Sequence, residues 1–150
     1  MTRLIFLDID GVLNCQATFT GPHGDSFKSL EPAFCDELQR IVQACWPCHI
    51  VLASTWRLFD NGGREKLNEW LGERMLSILS QTPDLTGHRG TEIQQWMNER
   101  PQLENVKFII IDDSSDFLPE QMPFLIRTSF KEGLTKQKAT EAIDCLMGQK

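Results

Sequence analysis

The chain has 150 residues, 41% of them hydrophobic and 24% charged, which suits one domain over residues 1–150 with an ordinary core and excludes a disordered chain. Its net charge of −6 argues against nucleic-acid binding driven by bulk charge, though it says little about one local cleft. No apolar run approaches the roughly 20 residues of a membrane helix, so no membrane association is expected. The opening residues turn acidic at Asp8, too early for a secretory apolar region. Five cysteines, an odd number, add the expectation of reduced thiols and a cytoplasmic location.

In chain order, Leu4 to Leu7 reads as a buried strand that stops at Asp8, with a turn at Gly11. Residues 14 to 30 read as an irregular loop or small flap carrying Phe19, His23 and Phe27. Glu31-Pro32 opens a helix, proline being well tolerated at the first helical position. Phe34, Leu38, Ile41, Val42 and Cys45 form its apolar stripe and Pro47 ends it. His49 to Ala53 is a second strand, stopping at Ser54-Thr55. After a turn at Gly62-Gly63, Glu65 to Leu71 suggests a helix and Met75 to Leu79 a short strand. Pro83 to Gly90 is predicted as loop and Thr91 to Glu99 as helix, with Thr91 and Gln94 as a capping box. Val106 to Ile111 is the strongest strand signal and runs directly into Asp112-Asp113. Pro123 to Ile126 is a last strand. Thr135 caps a final helix whose stripe is Ala139, Ala142, Ile143, Leu146 and Met147.

Strands alternating with amphipathic helices predict an α/β fold, a doubly wound parallel sheet covered on both faces. Ligands of such sheets bind beyond the carboxyl ends of the strands. Those ends carry Asp8 and Asp10, Ser54 and Thr55, and Asp112 and Asp113. Converging carboxylates repel one another and raise each other's pKa unless a cation joins them. An all-oxygen set beside substrate phosphate favours Mg²⁺.

The run Asp8-Ile9-Asp10-Gly11-Val12-Leu13-Asn14 resembles the first motif of the haloacid dehalogenase-like (HAD) superfamily. Ser54, after Ile50 to Ala53, is similar to its second motif, and Ile109 to Asp113 to its fourth. Ser54-Thr55-Trp56-Arg57 also resembles small HAD domains, some of them found in RNA-repair proteins. The resemblance implies a phosphatase in which Asp8 forms an aspartyl-phosphate and Asp10 is the acid and base. It implies Mg²⁺ held by Asp8, the Asp10 carbonyl and Asp112, with Asp113 as ligand or orienter, and Ser54 on a phosphoryl oxygen. Thr55 and Arg57 are candidates for substrate contact. For the basic third-motif residue Arg89 is preferred, Arg57 is next, and Lys131 and Lys136 remain open. Residues 14 to 30 and the loop near 80 to 88 are too short for a substantial cap. The expected substrate is a phosphorylated small molecule or a nucleic-acid end; a partner subunit could cover the open site, although no oligomer is indicated.

Three other readings compete. A phosphotransferase uses the same intermediate. A non-catalytic binding module has no need of Asp8, Asp10 and Asp112. A receiver-like phospho-acceptor needs its accepting Asp after a middle strand, where this chain has Ser54 and Thr55. Several features have plainer explanations: Asp116 as a helix cap, Cys45-x-x-Cys48 as helix end plus core, and the tryptophans as core or rim, with Trp56 the exception that could stack on a base. His88 adjoins Arg89 and His23 lies in the flap, so either could reach the site.

Overall fold

The computed structural model describes residues 1–20, 30–58, 63–85 and 87–149. His23, Phe27 and Gly62 lie outside these residues. Five strands, β1 (Thr2–Leu7), β2 (His49–Leu52), β3 (Ile78–Gln81), β4 (Val106–Asp112) and β5 (Leu125–Arg127), form one sheet in the order β3-β2-β1-β4-β5. Every pairing is parallel, and the strand order reverses between β1 and β4.

The helices are α1 (Gln16–Thr20), α2 (Pro32–Ala44), α3 (Gly63–Gly72), α4 (Arg89–Asn98) and α5 (Lys136–Met147), with short 3₁₀ turns at Thr55–Leu58 and Met122–Phe124. Successive residues of β1 point to opposite faces. Ile5 and Leu7 join Leu38 and Ile41 of α2, Leu67 and Leu71 of α3, and Ala139 and Leu146 of α5. Leu4 and Phe6 join Ile93 and Trp96 of α4. Both faces are therefore covered, and β1 reads as a continuous apolar run for that reason. Phe6 makes edge contacts with Trp96 (5.5 Å) and Phe108 (5.9 Å); burying one such ring contributes roughly 2 kcal/mol.

Several boundaries differ from the sequence expectation. A five-residue helix, α1, interrupts the predicted 14–30 loop. β3 begins at Ile78, three residues later than Met75. Met75 has φ of +57° and the N–H of Leu76 returns to the Leu71 carbonyl (3.1 Å), so this stretch is the left-handed end of α3. α4 starts at Arg89, and the Thr91–Gln94 capping box is not formed at its start. Thr135 does cap α5, accepting from the Lys138 N–H at 3.2 Å. Met147 is exposed although it lies on the predicted stripe, and Phe34 is half-buried while its neighbour Cys35 is buried. Among the described residues there is no cap domain, and no helix is long and apolar enough to cross a membrane.

Candidate active site and metal centre

The strand order places the exits of β1 and β4 side by side. The Asp8 N–H bonds to the Ile111 carbonyl at 2.9 Å, extending the ladder by one rung. Asp8 and Asp112 therefore emerge together, and both are buried. The chain then turns at Gly11, whose φ is +82°. A Cβ at Gly11 would overlap the Asp113 carboxylate, so this position needs glycine for its backbone and for its neighbour. Buried Asn14 accepts from the Gly11 N–H at 2.9 Å and donates Nδ2 to Asp10 Oδ1 at 3.0 Å. Trp56 Nε1 donates to the same Asp10 oxygen at 3.1 Å.

One face of α4 carries Arg89, Glu92, Ile93 and Trp96, at helical spacings of three and four residues. The apolar pair packs on the sheet, so Arg89, on the first turn, comes to the strand exits. Its Nη1 lies 2.9 Å from Asp8 Oδ1 and 2.5 Å from Asp112 Oδ2. Asp112 Oδ1 also accepts from the Ser114 N–H at 2.9 Å. Gly90 lets α4 approach the loop after β4, since a Cβ there would come within 2.7 Å of the Leu118 nitrogen. Asp116 does not cap a helix of its own. Its carbonyl accepts from the Gly90 N–H at 3.1 Å and its carboxylate from the Arg89 N–H at 3.4 Å, so it serves the start of α4.

Burial, and then the neighbouring Asp112, push the Asp8 carboxyl up to about 8. Burial also raises Asp112, and Arg89 partly offsets both rises. Oxygens of Asp8, Asp112 and Asp113 lie within 4.8 Å of one another. Two buried carboxylates share a single guanidinium, with a third carboxylate beside them. That all-oxygen, under-neutralised set fits a hard divalent cation such as Mg²⁺. The Asp10 carboxylate is not part of the cluster.

Ser54 is buried, and its Oγ accepts from the Trp56 N–H at 3.2 Å, which leaves the hydroxyl hydrogen to donate elsewhere. Thr55 is exposed at the start of the 3₁₀ turn. Arg57 is not brought to the carboxylates. Its side chain, 4% exposed, pairs with Glu92 at 2.9 Å and donates to the Ser54 carbonyl at 2.7 Å. Lys131, between β5 and α5, and Lys136, the first residue of α5, are both exposed. His88 is exposed, 3.7 Å from Asp116. Cys45 and Cys48 lie in the core cluster, and burial pushes the Cys48 thiol up to about 12.

The sequence alone assigned no site role to Asn14 or Glu92, and it marked Trp56 as a base-stacking candidate rather than as a partner of Asp10. A polar residue inside the apolar run after Gly11, and a glutamate beside Ile93 on the inward stripe, were the available signals. Buried polar groups of this kind need partners.

A family model described as the HAD domain in Swiss Army Knife RNA repair proteins matches residues 4–139. Neither curated proteins nor solved structures give a match.

Proposed function

The chain belongs to the family of HAD domains in Swiss Army Knife RNA repair proteins, and from that premise we propose that it is a Mg²⁺-dependent phosphomonoesterase acting on a nucleotide or nucleic-acid end. The observation that carries this reading is the single Arg89 Nη1 between Asp8 and Asp112, with Asp113 in the same cluster. A cation, two buried acids and an open edge are the parts that phosphoryl transfer by positioning and charge neutralisation requires.

In the first step a carboxylate oxygen of Asp8 bonds to phosphorus while the bond to the leaving oxygen breaks, and Asp10 gives that oxygen its proton. In the second step Asp10 takes a proton from water. The water oxygen bonds to phosphorus, the bond to Asp8 breaks, and phosphate leaves with both carboxyls restored. Ser54 donates its hydroxyl hydrogen to a phosphoryl oxygen, and Arg89 neutralises charge on the transferring group. Bound Mg²⁺, held by Asp8, Asp112, Asp113 and the Asp10 carbonyl, supplies further positive charge against the phosphoryl oxygens. Thr55 touches substrate at the mouth. Arg57, held by Glu92 and the Ser54 carbonyl, is a positioning residue. We read residues 1–150 as one such domain. Its five free thiols, four of them buried, suit a reducing cytoplasm.

The purified protein is expected to release inorganic phosphate from an aryl phosphate with Mg²⁺ and to stop on chelation. Asp8→Asn abolishes the activity, and Arg89→Ala lowers kcat by about 10²- to 10³-fold. Inactivity across pH 5 to 9, several divalent metals and a panel of phosphorylated metabolites, nucleotides and oligonucleotide ends would overturn the proposal.

A further inference from the structure

Beside the carboxylate cluster, past the end of β5, lies a cavity of about 360 Å³ lined by Arg127, Thr128, Ser129, Glu132, Thr135 and Lys138. Hydrogen bonds link its lining residues to the site. Arg127 pairs in register with Asp112, and its Nε donates to the Asp113 carbonyl at 3.3 Å. Thr128 donates its hydroxyl to the Gly11 carbonyl at 2.7 Å, and the Thr128 N–H reaches the Asp112 carbonyl at 3.0 Å. The same segment carries Phe130, 44% exposed and stacked on Phe19 at 5.9 Å with an interplanar angle of 15°. The Phe130 carbonyl accepts from the Gln16 N–H at 2.7 Å, which ties this aromatic pair to the start of α1, just after the turn that follows Asp8 and Asp10.

Charge separates this surface from the rest of the chain. Residues 127–138 hold four basic side chains, Arg127, Lys131, Lys136 and Lys138, against one acidic, Glu132, in a chain of net charge −6; Lys138 also meets Glu141 at 3.3 Å in a solvent-exposed pair, which a phosphodiester would replace. Basic groups along a groove with an exposed aromatic beside them are what single-stranded nucleic acid requires: cations follow the backbone and a ring accepts a base face. A free phosphometabolite has no use for the stacking surface, and an acidic peptide has none for a flat aromatic pair.

We propose that this β5–α5 surface binds the nucleotide flanking the phosphorylated end of a single-stranded polynucleotide, with its phosphodiester at Arg127 and Lys138 and its base on Phe130. The inference rests on the phosphatase reading and narrows its substrate from a nucleotide or nucleic-acid end to the end of a single-stranded polymer.

The test compares kcat/KM for phosphorylated oligonucleotides, RNA and DNA, with that for the matching mononucleotides and for an aryl phosphate. The protein is expected to favour an oligonucleotide over its mononucleotide by roughly ten-fold or more, as one stacked base and one paired phosphate imply. Phe130→Ala combined with Lys138→Glu removes that preference, read as the ratio of the two constants. Equal constants in the wild type, a preference retained by the variant, or a phosphopeptide outperforming every oligonucleotide overturns the proposal. Fluorescence anisotropy with an unphosphorylated single-stranded oligonucleotide and Asp8→Asn protein separates this outcome from failure of the phosphatase reading. Salt-sensitive binding that the Phe130/Lys138 changes weaken supports the surface even without turnover. Absent binding, or binding that those changes leave unaltered, overturns it.

Discussion

Asp10 Oδ1 accepts two hydrogen bonds, from Trp56 Nε1 and Asn14 Nδ2. With one oxygen held from two directions, the carboxyl cannot rotate freely, and its second oxygen is aimed by the first. For a group that, in the proposed mechanism, hands a proton to a leaving oxygen, aim matters more than affinity. Trp56→Phe deletes one donor and keeps most of the buried ring. The expected loss in kcat is about ten-fold for an alkyl phosphate, whose leaving oxygen needs its proton in the transition state. It is much smaller for an aryl phosphate with a stable phenolate leaving group. Equal losses for both substrates would show that Trp56 only supports the fold. The sequence exposed Asp8, Asp10, Ser54, Asp112 and Asp113 because each follows a strand. It did not expose the partners, because Trp56 and Asp10 are 46 positions apart and meet only once β1 and β2 pair.

At the scale of elements, one buried ion pair joins two parts of the site. Arg57 holds the Ser54 carbonyl at the exit of β2. Its partner Glu92, on the helix that begins with Arg89, also accepts from the Leu85 N–H at 2.8 Å. Neither side chain exceeds 4% exposure. A buried guanidinium that loses its carboxylate is left charged and dry, so Glu92→Gln is expected to cost on the order of 3 kcal/mol. In a chain of this length that lowers Tm by roughly 10 °C in a thermal melt. Replacing both residues with leucine is expected to restore most of that stability, since an apolar pair needs no desolvation, while activity stays low because Ser54 and α4 are no longer tied together. A smaller effect from Glu92→Gln than from the double change would contradict this role. The arginine in Ser54-Thr55-Trp56-Arg57 was legible as important, but its assignment to substrate came from proximity in sequence. The start of α4 was misplaced by two residues for a related reason: Arg89 and Gly90 pack against the loop after β4, and no local propensity records that contact.

For the whole molecule, the alternation of strands and helices predicted the parallel sheet, and the apolar runs predicted which strands lie deepest. Composition and pattern could not reveal that β1 and β4 are neighbours, which is what brings Asp8 to Asp112. That adjacency has a thermodynamic consequence. The Asp8 carboxyl has a folded-state pKa of about 8 against 3.8 for an ordinary aspartate, chiefly because it is buried and then because Asp112 is close. The folded protein therefore binds more protons than the unfolded chain across that interval. Stability from this group is fully present below pH 3.8, falls as pH rises through the interval, and is gone above about pH 8. Metal-free Asp8→Asn is accordingly expected to gain stability over wild type as pH goes from 5 to 8, reaching on the order of 1–3 kcal/mol. Mg²⁺ reverses the comparison, because a cation binds the ionised acids and competes with their protons. With free Mg²⁺ at ten times its dissociation constant the wild type gains about 1.4 kcal/mol. The gain shrinks as pH is lowered toward 5 and is weakened in Asp8→Asn. Thermal melts of both proteins in chelator and in Mg²⁺, at pH 5, 6.5 and 8, check the sign. A difference between wild type and Asp8→Asn that stays flat from pH 5 to 8 without metal would mean that Asp8 is already ionised in the folded protein, with Arg89 alone neutralising the pair.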